Sequence, residues 1–223
     1  MDLVYLVFTA LAVAFALLAV IARRRNMHIW LASYAGQVAR RRFARHGGDP
    51  VHVMFCFVDH FEPRWGNPPY EEESRRVDEW CRRYPLLTAG HRDADGQPPK
   101  HTFFFPEEEY RPEHIDRLVE LCQQGLGEID VHLHHDNDTE AGLRDKLQRF
   151  TGILNRRHGA LPVNPDDGRP MFAFIHGNWC LDNSRRDGRW CGVNNELIVL
   201  REMGCYADFT LPSAPSDTQT GKI

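Results

Sequence analysis

From Val51 onward, five short apolar runs alternate with stretches of helical spacing, and this restricts the chain to a mainly parallel α/β sheet. The runs are VHVMFCFVD from Val51, HTFFFPEEE from His101, EIDVHLHHD from Glu128, MFAFIHG from Met171 and CYADFTL from Cys205. The first is apolar on both faces, the pattern of a parallel strand buried on both sides. Between the runs lie three amphipathic stripes: Val77, Trp80, Cys81, Tyr84; Ile115, Leu118, Val119, Cys122; and Leu143, Leu147, Phe150, Leu154. Pro112 opens the second helix and Gly125 suits its C-terminal cap. A short fourth helix carries Leu197, Ile198 and Leu200 and stops at Gly204.

The chemistry-bearing residues gather at the carboxyl ends of these strands. Asp59 and His60, Glu107, His132 and His134, His176 and Asp208 all fall there. Polar groups placed for solubility would show no such preference, whereas a (β/α) barrel builds its site on that face. The third run is the richest. A period of two puts Glu128, Asp130, His132 and His134 on one face and Ile129, Val131 and Leu133 on the other. His135 would then leave the opposite side from His134 and is not expected to bind the same ion. Five strands are too few to close a barrel, so the barrel is expected to be incomplete at its C-terminus.

Leu3 to Ala22 is an uncharged apolar run of helical length sufficient for a bilayer. Only Met1 and Asp2 precede it, without the basic residues of a signal peptide, which favours a retained anchor. Arg23, Arg24, Arg25, Arg40, Arg41, Arg42 and Arg45 follow before the first acid, Asp49. By the positive-inside rule that flank is cytoplasmic. The expected organisation is a transmembrane anchor over 1–25, a basic linker over 26–50 and the α/β domain over 51–223, with Gly47-Gly48-Asp49-Pro50 at the boundary. A net charge of −4 and a pI near 6.3 argue against nucleic acid as a partner. The six cysteines contain no C-x-x-C pair, and Cys56, Cys81 and Cys122 lie on apolar faces, so buried free thiols are expected rather than a disulfide framework.

On these residues the domain resembles the polysaccharide deacetylase family, with its NodB-homology fold. That family's first motif is a strand ending in two aspartates. Asp59 matches the first, the catalytic base, and His60 stands where the second, a metal ligand, would be. The second motif, a strand entering His-[Ser/Thr]-x-x-His, is matched in framing by EIDVHLHHD, with His132 kept and Asp136 at the distal position. His132-Leu133-His134 also fits the His-x-His of some distant relatives. The third motif would fall near Phe174–Trp179 without its Arg, and MGCYADFT is similar to the Gly-Phe-x-x-Asp-Ser segment that includes Asp208. The resemblance implies a distorted (β/α) barrel, one divalent metal and hydrolysis of acetyl groups on a carbohydrate.

Within that reading His132 and His134 are metal ligands, with His60 or Asp136 as third, and Asp59 is the base. Two imidazoles and a carboxylate suit zinc and leave a position for water. His134 could equally be a hydrogen-bond donor behind the ligands. His176 could protonate a leaving amine or contact the sugar, or be a histidine packed at a strand end. Trp179 and Trp65 could stack on sugar rings, with Asp208 on the substrate side. A non-catalytic relative that binds sugar or scaffolds polysaccharide assembly is the alternative.

Overall fold

The computed structural model describes residues 2–43 and 50–210, with 216 and 218. Arg45, the glycines of the expected domain boundary and most of the C-terminal tail lie outside the described residues. The apolar N-terminal run is a helix, α1 (Asp2–Arg24), long and apolar enough to cross a membrane. A second helix follows, α2 (Met27–Phe43).

The domain is an α/β unit whose strands run β1 (Phe57–His60), β2 (His101–Pro106), β3 (Gly127–Leu133), β4 (Phe172–His176) and β5 (Cys205–Asp208). They form one curled, half-barrel sheet in the order β1-β2-β3-β4-β5, every neighbouring pair parallel. Each crossover carries a helix: α3 (Tyr70–Thr88), α4 (Pro112–Gln123), α5 (Glu140–Arg156) and α6 (Glu196–Glu202). Sequential winding of this kind has no switch point, so the site is sought at the carboxyl ends of the strands, as in barrels.

The period of two sorts the strands into two layers. Phe103, Phe105, Ile129, Val131, Leu133, Phe172 and Phe174 join the helix stripes in the main core, all nearly inaccessible. Phe104, Ala173 and Ile175 form a smaller apolar cluster on the other, inner face, with Val58 and Ala207 against it. The helices begin as their sequences direct: Pro112 occupies the first turn of α4, and the Thr139 side chain caps α5 by accepting from the Gly142 amide.

The first strand differs from expectation. Only Phe57–His60 pairs, and Val51, Val53, Met54 and Phe55 are exposed, as is Cys56. β1 is an edge strand with β2 on one side alone, so among the described residues nothing covers the run that precedes it. All six cysteines are free; Cys180 and Cys191 are buried, while Cys81 and Cys122 are half-buried.

Candidate metal centres

Parallel register places His60 beside Phe104, and Phe104 beside Asp130, so these three and His132 belong to the inner face. β2 separates the two histidine strands but presents Phe104 and Pro106 at the matching positions, neither of which competes for a cation. The His60 and His132 rings meet edge to face, 4.5 Å between centroids. Glu62, two residues past His60, brings a carboxylate to the same point. Its Oε1 lies 3.4 Å from His60 Nδ1, 3.2 Å from His132 Nε2 and 3.6 Å from His134 Nε2. Two ligands bound tetrahedrally to zinc stand about 3.3–3.4 Å apart, so these separations match the edges of a coordination shell. His60, Glu62 and His132 have all three ligating atoms within 4.8 Å of one another.

Burial sharpens the case for a cation. His132 is fully buried, and neither of its ring nitrogens makes a well-directed hydrogen bond. Burial lowers its pKa, so the ring is neutral, as a ligand must be. Burial alone would raise the pKa of Glu62, but the adjacent His132 and His60 rings hold it at about 2. His134 differs. Burial would lower its pKa, yet a short hydrogen bond from Nδ1 to Glu108 raises it overall, so it favours the protonated form. Trp179, held at a φ of +54°, places its ring 5.6 Å from that of His60. A cleft of about 450 Å³ lies beside the group, lined by Asp59, His60, Glu62, Trp80 and Arg83 among others.

A second cluster lies on the helix side of the same strand ends. His135 and His176 have rings 4.6 Å apart, and Cys191 and Glu196 approach from the 178–195 loop and the start of α6. All four residues are buried, and their ligating atoms lie within 4.8 Å of one another, so this cluster could hold a metal ion. His135 Nδ1 faces Asp138 Oδ2 at 3.1 Å and Nε2 faces Glu196 Oε1 at 3.1 Å. Burial would raise the Glu196 pKa, but the hydrogen bond with His135 lowers it overall. Burial takes the His176 pKa down to about 3 and the Cys191 thiol up to about 12. His135 leaves the face opposite His134, as the alternation implies, and joins this second cluster rather than the His60 group. The face opposite His134 is not solvent but the interior layer beneath the helices.

The remaining sequence candidates are dispersed. Asp59 alternates with His60, so it stands on the helix side of β1 with Oδ1 3.0 Å from His101 Nε2. Asp136 is exposed, accepts a hydrogen bond from the Trp190 amide and joins neither cluster. Asp208 is exposed and accepts from the Thr210 hydroxyl, which itself receives the His176 amide at 2.8 Å. Trp65 is exposed, and Glu107 pairs with Arg149. Glu62 had a readable signal, the His-x-Glu spacing that puts both side chains on one side; Glu108, Cys191 and Glu196 had none. Comparison of the chain with protein families, with curated proteins and with solved structures finds no match in any of the three.

Proposed function

We propose that the chain is a membrane-anchored hydrolase that holds a divalent ion, zinc by preference, at His60, Glu62 and His132 and removes acetyl groups from a carbohydrate. The sheet is read as a divergent NodB-homology half-barrel. The observation that carries this is the convergence of two imidazoles and one carboxylate, three ligands rather than four, two of which, His60 and Glu62, line an open cleft. A three-ligand site is the pattern of catalytic rather than structural zinc. Two neutral imidazoles and one carboxylate also leave the ion with net positive charge.

Bound there, such an ion would bring a coordinated water's pKa towards about 7 and polarise an acyl carbonyl. The protein's own groups do the rest. Glu62 would hold the ion through Oε1, the oxygen that faces His60 and His132, leaving its other oxygen to accept a proton. His134, its pKa raised by the hydrogen bond with Glu108, is the group to protonate the leaving amine or alkoxide. Trp179, half-exposed beside His60, offers its face to a sugar ring. Asp59 is a positioning group in this scheme, because it stands on the helix side of β1 with Oδ1 3.0 Å from His101 Nε2 and is not one of the three ligands.

That placement of Asp59 is also the specific observation favouring the second reading, a non-catalytic sugar-binding or scaffold relative. Acetate release from N- and O-acetylated oligosaccharides by the metal-loaded, detergent-solubilised full chain separates the two. Release that Glu62→Gln and His132→Ala abolish supports the hydrolase; a loaded chain inert on both substrate types supports the scaffold. The arginines that close α1 and α2 support a cytoplasmic domain by the positive-inside rule, and on that side lipid- or nucleotide-linked sugars are the accessible substrates.

A further inference from the structure

We propose that His135, His176, Cys191 and Glu196 form a closed, structural metal site that fastens the 178–195 loop to the ends of β3 and β4, separate from the open group at His60. The two clusters differ in the way structural and catalytic sites differ: four ligands against three, and complete burial against an open cleft. Their charges differ too. One thiolate, one carboxylate and two neutral imidazoles cancel a divalent ion, which suits a site with no access to water.

Independent details point to an ion. The Nε2 of His176 is fully buried, has no hydrogen-bond partner and lies 3.9 Å from Glu196 Oε1, too far for a hydrogen bond but within the span of two ligands. His135 offers Nε2 to the cluster while Nδ1 meets Asp138, which Lys146 and the Thr139 amide hold in place. A carboxylate behind a ligating imidazole fixes its tautomer and orientation. Cys191 Sγ receives the backbone amides of Asn183 at 3.3 Å and Val193 at 3.5 Å, which hold the sulfur beside the cluster. Gly192 follows at φ +97°, where a Cβ would stand 2.5 Å from the Asp138 amide nitrogen. Only glycine lets Cys191 approach the β3 end this closely.

Without an ion, Glu196 is served by the Asp182 amide at 2.7 Å, His135 and the Cys191 thiol, while His176 Nε2 has no partner. With one, coordination through His176 Nε2 leaves the ring proton on Nδ1. The Asn178 amide, 3.2 Å from Nδ1, then has to turn away, and Gly177 just before it makes that rotation easy. Thiolate with imidazole selects a borderline-soft cation of the zinc class over magnesium or calcium.

Cobalt(II) titration of the chelator-stripped full chain in detergent tests this, because the open group contains no sulfur. The expected result is a near-ultraviolet sulfur-to-cobalt charge-transfer band that forms in wild type, saturates at one equivalent in His132→Ala, where the open group is emptied, and disappears in Cys191→Ser. Glu196→Gln, which keeps side-chain shape but removes a ligand, is expected to weaken the cobalt affinity read from the band by more than about 100-fold, beyond the range for groups behind a ligand. Amide exchange across 178–195 is expected to rise when the ion is stripped. A cobalt-loaded wild-type chain without the band, a band that survives Cys191→Ser, or exchange unchanged by stripping would each overturn the proposal. Loss of acetate release with the band intact would sink the hydrolase reading alone.

Discussion

Glu62 Oε1 stands 3.2 Å from His132 Nε2, although one residue follows the edge strand β1 and the other belongs to the central strand β3. The contact exists because β2 ends in Pro106 at this level and offers no side chain that fills the space between them. A carboxylate held at about pKa 2 therefore faces an imidazole kept neutral by burial, a pairing that welcomes a cation more than a proton.

Removing one of those ligands should empty the open group and spare the closed one. Loss of a group behind a ligand weakens metal binding about 10–100-fold, so loss of a ligand itself is expected to exceed about 100-fold. Zinc competition on His132→Ala and on Glu62→Gln checks this, with elemental analysis expected to fall by one ion per chain. Unchanged stoichiometry in both variants would sink the assignment.

Gly177 lies against the His134 ring so closely that a Cβ there would overlap the ring atoms. Gly177→Ala is expected to displace His134 from Glu108 while leaving the ligands His60, Glu62 and His132 in place. Acetate release should drop at least about 10-fold, the scale of one general-acid contribution in part, with the metal content of the open group retained. Full activity in this variant would show that His134 does not need its present position.

His114 gives a pH effect away from both clusters. It is buried on α4, with Glu73 Oε1 3.5 Å away and the Tyr70 ring stacked beside it at 6.1 Å. Burial lowers its pKa below 6.5, against the opposing pull of Glu73. The unfolded chain therefore binds a proton that the folded chain refuses, so stability is complete above about pH 6.5 and falls as pH drops below it. The slope is at most about 1.4 kcal/mol per pH unit and ends at the folded-state pKa. Denaturant midpoints of wild type and His114→Phe at pH 7.5 and pH 5.5 isolate the term; equal pH dependence in the two would refute it.

Much of this was legible in the chain. The stripes Val77–Tyr84, Ile115–Cys122 and Leu143–Leu154 are the faces that α3, α4 and α5 bury, because amphipathic spacing survives any tertiary context. The period of two rightly put His132 and His134 together, their rings 4.6 Å apart. It also sent His135 to the other face, but gave no sign of a second cluster there, since the far face of a parallel sheet is also interior. It misled at 51–56, where two apolar faces need neighbours that an edge strand lacks. Cys191 and Glu196 could not be read at all. They come from a segment with no periodicity, whose path depends on left-handed backbone at Trp179, Asp182, Asn183 and Trp190.

The end of α1 bears on whether the apolar helix stays with the protein. Arg186 Nη2 donates to the Arg23 carbonyl at 2.8 Å and to Asn26 Oδ1 at 3.0 Å, so the 178–195 loop touches the junction between α1 and α2. A cleaved leader would leave Arg186 without these partners. Arg23 and Arg24 close α1, and Arg40, Arg41 and Arg42 close α2, a concentration of positive charge that resists translocation. The mature chain is therefore expected to retain Asp2 to Arg24 by intact mass. A fluorescent-protein fusion after Ile223 should be active, and an alkaline phosphatase fusion at the same point inactive. Phosphatase activity would reverse the orientation, and a mature mass lacking the helix would show that it is a signal sequence.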